Sequence, residues 1–155
     1  MNSATDRPLD QTDRKILAEL AQNGRISVAE LSRRVNLSKT PCQARIHRLE
    51  QDGFILGYRA VIDPTRLGLP HVAFVEVRLS DTRKAALEAF NKAVRALPEV
   101  EQAHMIASSF DYLLKVRTKD IAAYREVLGE KISALPHVAH PSTHVSMEAV
   151  KDDAE

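Results

Sequence analysis

The chain has 155 residues, 44% of them hydrophobic and 28% charged, and a formal net charge of +1. That is enough for one ordinary domain or two small ones, and too apolar for a disordered chain. Aromatics reach only 5% with no Trp, which weakens any base-stacking platform; no apolar run approaches the roughly 20 residues of a membrane helix, and Cys42 alone excludes an internal disulfide and a cysteine-built zinc site.

The start, MNSATDRPLD, lacks an apolar signal region, so cytoplasm is the expected compartment. The small net charge hides a division. Residues 1–60 carry ten Lys and Arg against seven Asp and Glu, whereas residues 61–155 carry twelve against fourteen. Between Arg25 and Arg48 six basic side chains (Arg25, Arg33, Arg34, Lys39, Arg45 and Arg48) face a single acid, Glu30. A basic patch in a nearly neutral chain points to a partner for that patch alone.

Three short helices are expected first. Asp10 can cap a helix through about Gln22, with Asp13 in the first turn where negative charge is favoured and Ile16, Leu17 and Leu20 inward. Ser27 and Glu30 form a capping-box pattern that opens a helix to about Val35, with Leu31 and Val35 inward. Asn36 suits the left-handed residue that ends it. Ser38 then caps a third helix, Pro41 sits in its first turn where a missing N–H is harmless, and Gly53 stops it. Helix, three-residue turn, helix is the helix-turn-helix arrangement.

The third helix has two faces. With Cys42, Ile46 and Leu49 as its dry stripe, a rotation of about 100° per residue points Thr40, Ala44, His47 and Gln51 outward, flanked by Gln43 and Arg48. Such a face suits a DNA major groove. Gln43, His47 and Arg48 can reach base edges, and Ala44 permits close approach or contact with a thymine methyl. Ser38, Lys39 and Thr40 at the helix start, with Arg33 and Arg34 behind, suit phosphates. Arg45 leans toward the dry stripe, where its stem can brace the three helices.

From Phe54 to Ile62 the pattern is extended, interrupted by Gly57 and closed by Asp63–Pro64, Gly68 and Pro70. Beyond Pro70 the periods alternate. His71–Leu79 reads as a strand, and residues 82–97 as a helix with Leu87, Phe90, Val94 and Leu97 on one face. Val100–Ala107 and Asp111–Arg117 read as two strands about a short turn. Asp120 caps a helix with Ile121, Tyr124, Leu128 and Ile132 inward, and a last strand is expected over Ser142–Val150, since Pro141 disfavours an earlier start. The order βαββαβ is a ferredoxin-like unit. Two helices cover only one side of such a sheet. Val72 and Phe74 on its other side therefore call for a second cover, most simply the sheet of a partner chain.

The three-helix head, the stretch SKTPC-x3-I-x2-LE-x2-GFI-x-GY, the Asp63–Pro64 turn and the βαββαβ tail together resemble the leucine-responsive and asparagine-responsive regulator (Lrp/AsnC) family, over about Leu9 to Met147. Within it, EVEQAHMIASSFDYLLKVRT and THVSME look most like the branch that regulates proline catabolism. The resemblance implies an α+β fold: a winged-type helix-turn-helix head over residues 1–53, a linker over 54–70 and a ferredoxin-like effector-binding and oligomerisation domain over 71–155. It further implies double-stranded DNA and a small amino-acid effector as partners, proline first among candidates, and dimers that assemble further, to an octamer. The family's effector cleft lies around the turn between the second and third strands of the tail, here Ala107–Ser108–Ser109–Phe110–Asp111. Family members commonly carry Gly where Ser108 stands; Gly permits positive φ and close ligand approach. Asp111 either holds an effector's ammonium group or serves as a turn residue binding backbone N–H groups. Thr143 on the last strand is a further candidate for the cleft.

Nothing in the chain calls for a cofactor. His137, His140 and His144 cluster without a complementary carboxylate or Cys at ligand spacing, so no metal site is expected. No Gly-rich phosphate loop and no G-x-S-x-G are present. Two other readings compete with a DNA-binding regulator. One is a tetrapyrrole-modifying enzyme of the sirohaem decarboxylase type, which resembles this family in fold. The other is an effector-binding assembly protein whose head binds protein.

Overall fold

In the computed structural model, which describes residues 8–152, Asp10 opens the first helix, α1 (Gln11–Gln22), with a full capping box. Its carboxylate accepts the Asp13 N–H at 2.8 Å, and the Asp13 carboxylate accepts the Asp10 N–H at 3.1 Å. At α2 (Val28–Arg34) only half of the expected box forms. Ser27 Oγ accepts the Glu30 N–H at 3.1 Å, while the Glu30 carboxylate turns to Arg33 and Arg34 instead of back to Ser27. Asn36 takes φ 56°, the left-handed conformation expected of it. Ser38 occupies the N-cap position of α3 (Lys39–Gln51) with extended backbone, but its hydroxyl makes no capping bond, contrary to expectation. Gly53, at φ 76°, ends that helix in a conformation that a Cβ would strain.

The head packs around Ile16, Leu31, Val35, Cys42 and Leu49, all buried, with Leu17, Leu20, Ile46 and Ile55 around them. Phe54 and Ile55 donate their N–H groups to Leu49 O at 2.9 and 3.1 Å, and Tyr58 Oη donates to Glu50 Oε1 at 2.9 Å. The chain after α3 therefore folds back on the head. Residues 55–63 run without strand pairing in the stretch where a wing would form. The described residues divide into two units after Ala60.

The second unit is a four-stranded antiparallel sheet in the order β2-β3-β1-β4, built from β1 (His71–Leu79), β2 (Val100–Met105), β3 (Tyr112–Thr118) and β4 (Val138–Val145). Alternation decides its faces. Ala73, Val75 and Val77 of β1, and Tyr112, Leu114 and Val116 of β3, point to one side and are buried under α4 (Lys84–Arg95) and α5 (Ile121–Glu126). Phe90 and Val94 of α4 and Tyr124 of α5 complete that core. Among the described residues no helix is long and apolar enough to cross a membrane.

Two expectations need correction. The last strand starts at Val138, not Ser142, and includes Pro141 opposite Val77. It lies at the sheet edge, where the missing Pro N–H leaves no ladder bond unmade. The last helix keeps Tyr124, Leu128 and Ile132 against the core but not Ile121. After Glu126 the chain widens into a π-helical turn over Val127–Ile132, in which the Ser133 N–H reaches back five residues to Leu128 O at 2.9 Å. Val127 is buried there beside the partly buried Leu128, and Ile121 in the first turn is half exposed.

The other sheet face carries Val72, Phe74, Glu76 and Arg78 of β1 and Leu113, Lys115 and Arg117 of β3. Glu101 pairs with both Arg117 and Lys115, Lys115 Nζ lies 2.7 Å from Asp152, and His144 lies 3.2 Å from Glu76. Apolar and charged side chains alternate there, while α4 and α5 pack against the opposite face.

Candidate nucleic-acid interface

The outer face of α3 follows from its dry one. Cys42 and Leu49 are fully buried and Ile46 partly so, which fixes the helix rotation. Lys39, Thr40, Gln43, Ala44 and His47 are consequently exposed. The His47 side chain stands 68% exposed, and Glu50 is 3.9 Å from its ring. Among the described residues Lys39 has no ion-pair partner, and Ser38 is exposed beside it. A short polar row above a packed stripe, at the start of a helix whose N–H groups face out, is chemically able to meet base edges and phosphates.

Four arginines that charge counting assigns to this surface are paired with acids. Arg48 is the clearest correction. Its guanidinium turns back to α1, with Nη2 2.6 Å from Asp13 Oδ1, so it does not flank the outer face as a free base reader. The contact is ionic in distance but not aligned as a hydrogen bond, since Arg48 Nε and Nη2 are buried without a hydrogen-bond partner. Arg45 Nη1 donates to Asp13 Oδ1 at 2.8 Å and to Asp10 Oδ2 at 2.5 Å. Arg34 lies between Glu19 at 2.8 Å and Glu30 at 3.0 Å, and Arg33, still exposed, also pairs with Glu30. Arg45 and Arg48 answer the buried Asp13 on packed α1, whereas Arg33 and Arg34 pair with Glu30 one turn earlier on their own helix and stay in water. Among the described head residues, Arg14, Lys15, Arg25, Lys39 and Arg59 are exposed cations without an ion pair. Sequence reasoning passed over Arg59, which stands alone outside the basic run.

Asp13 is the fully buried member of this cluster. Burial pushes its carboxyl up, but the Arg48 and Arg45 guanidinium groups beside it and the Asp10 N–H outweigh that and leave it below the usual carboxylate range. The Asp10 carboxyl is held at about 2, first by Arg45 and then by the Asp13 N–H. The signal was present in the sequence as two arginines one turn apart, below an acid at the third position of the first helix.

In the tail, the turn over Ala107–Asp111 is bound at both ends. The Ile106 N–H donates to Asp111 O, and the Asp111 N–H to Val77 O, both at 2.9 Å. Asp111 Oδ2 accepts the Leu79 N–H at 2.7 Å, and Arg78 donates from Nε and Nη2 to Ser109 O at 3.2 and 2.8 Å. Ala107, Ser108 and Ser109 are exposed and Phe110 half-buried. Ser108 does not take positive φ, so the serine sits there without the strain a glycine would be needed to relieve. Thr143 is placed differently from expectation. It lies opposite Val75, on the helix-covered face, with Oγ1 2.5 Å from Tyr124 Oη. It does not join the turn. His140 and His144 share the open sheet face, while His137 precedes β4 at φ 62°.

A three-helix head with an outward polar row, joined to a βαββαβ domain, defines a class: two-domain transcription regulators that bind DNA through a helix-turn-helix and a small molecule through the sheet domain. Residues 9–55 match the winged helix-turn-helix DNA-binding domain, and residues 72–155 match the Lrp/AsnC ligand binding domain. The chain belongs to the Lrp/AsnC family. It is 60% identical over 151 residues to the proline dehydrogenase transcriptional activator of Rhizobium radiobacter, covering 97% of each chain. It is 63% identical over 142 residues to the protein of that name in Rhodobacter capsulatus, covering 92% of each. A Neisseria meningitidis transcriptional regulator solved as a complex with L-Met superposes with a TM-score of 0.89 at 33% identity, over 94% of each chain. The protein is a DNA-binding transcription regulator responding to an amino acid, and not an enzyme. The tetrapyrrole and protein-binding alternatives give way to that.

Proposed function

We propose that the amino acid sensed is proline and that the regulated gene serves proline catabolism. The names carried by relatives at 60% and 63% identity support this reading. Two recognition helices of a dimer would enter successive major grooves about one helical turn, roughly 34 Å, apart. Gln43, Ala44 and His47 would read bases, with Ser38, Lys39, Thr40 and Arg33 on phosphates; Arg34, tied to Glu19 and Glu30, contributes charge only. The single observation that carries this is the exposed polar row of α3 above its buried Cys42–Leu49 stripe.

For assembly, the uncovered sheet face with Val72, Phe74 and Leu113 would meet the same face of a second copy, and dimers would associate to an octamer. The effector would bind around Ala107–Asp111, where Ser108 and Ser109 offer exposed hydroxyls. It changes DNA affinity only if it prefers one assembly or one spacing of heads. The work belongs in the cytoplasm, beside the chromosome. Genome-wide footprinting with and without proline tests the whole reading: occupancy near a proline-catabolic gene should change with proline and not with leucine or alanine. His47→Ala and Gln43→Ala should each lower preference for the recovered site by roughly 1–3 kcal/mol if they read bases. Light scattering at micromolar concentration should find no monomer.

A further inference from the structure

In the head, one buried carboxylate holds two guanidinium groups that net charge alone would offer to DNA. Asp13 Oδ1 takes Arg45 Nη1 at 2.8 Å and Arg48 Nη2 at 2.6 Å, and Oδ2 accepts the Asp10 N–H at 3.1 Å, so both carboxylate oxygens are engaged. Arg45 also reaches Asp10 at 2.5 Å. Two cations and two anions leave this flank of α3 locally neutral, although it lies beside the row that faces outward. Arg45 and Arg48 line, with Pro41 and Ala44, an opening of about 280 Å³, which is room for a freed guanidinium to swing toward the outer face.

Two consequences follow from elementary electrostatics. A guanidinium on a phosphate strengthens binding to every duplex alike and so dilutes the contribution of base contacts to choice. Drawing Arg48 away from Asp13 strips a fully buried carboxylate of a partner, a larger loss than one exposed phosphate contact returns. DNA therefore does not recruit these arginines while Asp13 is present.

We propose that Asp13 is a positioning residue for specificity: by holding Arg45 and Arg48 on the α1 side of the recognition helix, it withholds two non-selective cations from the duplex and leaves sequence choice to Gln43, Ala44 and His47. This rests on the reading that α3 enters the major groove, and the first measurement separates the two.

The full-length protein is titrated by fluorescence anisotropy against a duplex it has selected from a random pool and against a scrambled duplex of the same composition, from about 50 to about 200 mM salt, the range over which counterion release is read. A wild type without preference for the selected duplex overturns the groove reading, and the proposal with it, before any substitution is made. With preference established, Asp13→Asn should steepen the slope of log affinity against log salt by about 0.9 for each guanidinium released. It should also raise affinity for the scrambled duplex several-fold and lower the selected-to-scrambled ratio. Arg48→Gln alone should leave slope and ratio unchanged, and the double variant Asp13→Asn/Arg48→Gln should recover part of the wild-type slope. Two results overturn the proposal: a slope flattened by about 0.9 in Arg48→Gln, which makes Arg48 a phosphate contact already, or an Asp13→Asn protein that loses affinity for both duplexes at unchanged slope, as a purely structural residue would. Should Asp13→Asn fail to fold in a thermal melt, the Arg48→Gln slope decides alone.

Discussion

Tyr124 Oη and Thr143 Oγ1 lie 2.5 Å apart and join the last helix to the edge strand within the tail core. Tyr124 is 2% exposed; burial pushes its phenol up, with the Thr143 bond opposing in part. Thr143→Val keeps the shape and removes the partner, leaving a buried hydroxyl unsatisfied. The expected cost is about 1–3 kcal/mol, read as a lower thermal midpoint of the tail. Because the Thr143 side chain faces the helices, the amino-acid concentration at half response should not move. A shifted half-response at unchanged stability would return Thr143 to the effector cleft.

Asp111 tests the two roles that its position leaves open. Its Oδ2 accepts the Leu79 N–H at 2.7 Å, just where β1 shifts register against β4. Asp111→Asn retains a carbonyl oxygen for that bond, and stability should change little. If the carboxylate also holds an effector ammonium, the same substitution removes the charge and should weaken amino-acid binding by roughly tenfold or more, since hydrogen bonds to charged groups contribute about 1.5–3 kcal/mol. Calorimetric titration of both proteins with proline separates a turn residue from a ligand residue.

How much of this was legible beforehand depended on whether a local pattern was sufficient. Asp10, Asn36 and Gly53 bound their helices as expected, because capping and positive φ are decided within a few residues. The alternation Ala73, Val75, Val77 fixed the buried face of β1 for the same reason. What failed was non-local. Pro141 looked like a barrier to strand until the sheet order put β4 at an edge. The π-turn at Val127–Ile132 has no simple sequence mark, and it brought Val127 into the core beside Leu128. For the candidate interface, helix periodicity found the exposed row Thr40, Gln43, Ala44 and His47 correctly. It misplaced Arg48, because a 3.6-residue period says where a side chain leaves the helix, not which buried acid 35 residues earlier will draw a long side chain back.

Leu49 is the keystone by position in the head: it is fully buried, and its carbonyl accepts both the Phe54 and Ile55 N–H groups. Leu49→Ala should destabilise the head by about 2–5 kcal/mol, the usual cost of a large-to-small change in a core. The tail core contains none of the same residues. Denaturation followed by circular dichroism should therefore split into two transitions, the first lost with DNA binding and the second retaining the oligomer. A single unshifted transition would mean that Leu49 is not supporting the head.

Acid should act on the head through the Asp10–Arg45 contact in a definite direction. The Asp10 carboxyl is lowered from 3.8 to about 2, chiefly by the Arg45 hydrogen bond, and the buried Asp13 carboxyl lies below its ordinary value as well. A carboxyl lowered by folding contributes stability that is fully present above its unfolded value and is lost as pH falls through its folded one. For Asp10 that window runs from 3.8 down to about 2. Arg45→Gln removes the guanidinium shared by both acids, so the variant should be less stable than wild type by a constant margin at neutral pH. The margin should shrink through that same window as the wild-type carboxyls take up protons and lose what Arg45 gave them. Denaturant midpoints of the two proteins, compared from pH 7 to pH 2, provide the check. A margin that stays constant on acidification would mean that Arg45 supports the head by packing its stem, with the two aspartates contributing little.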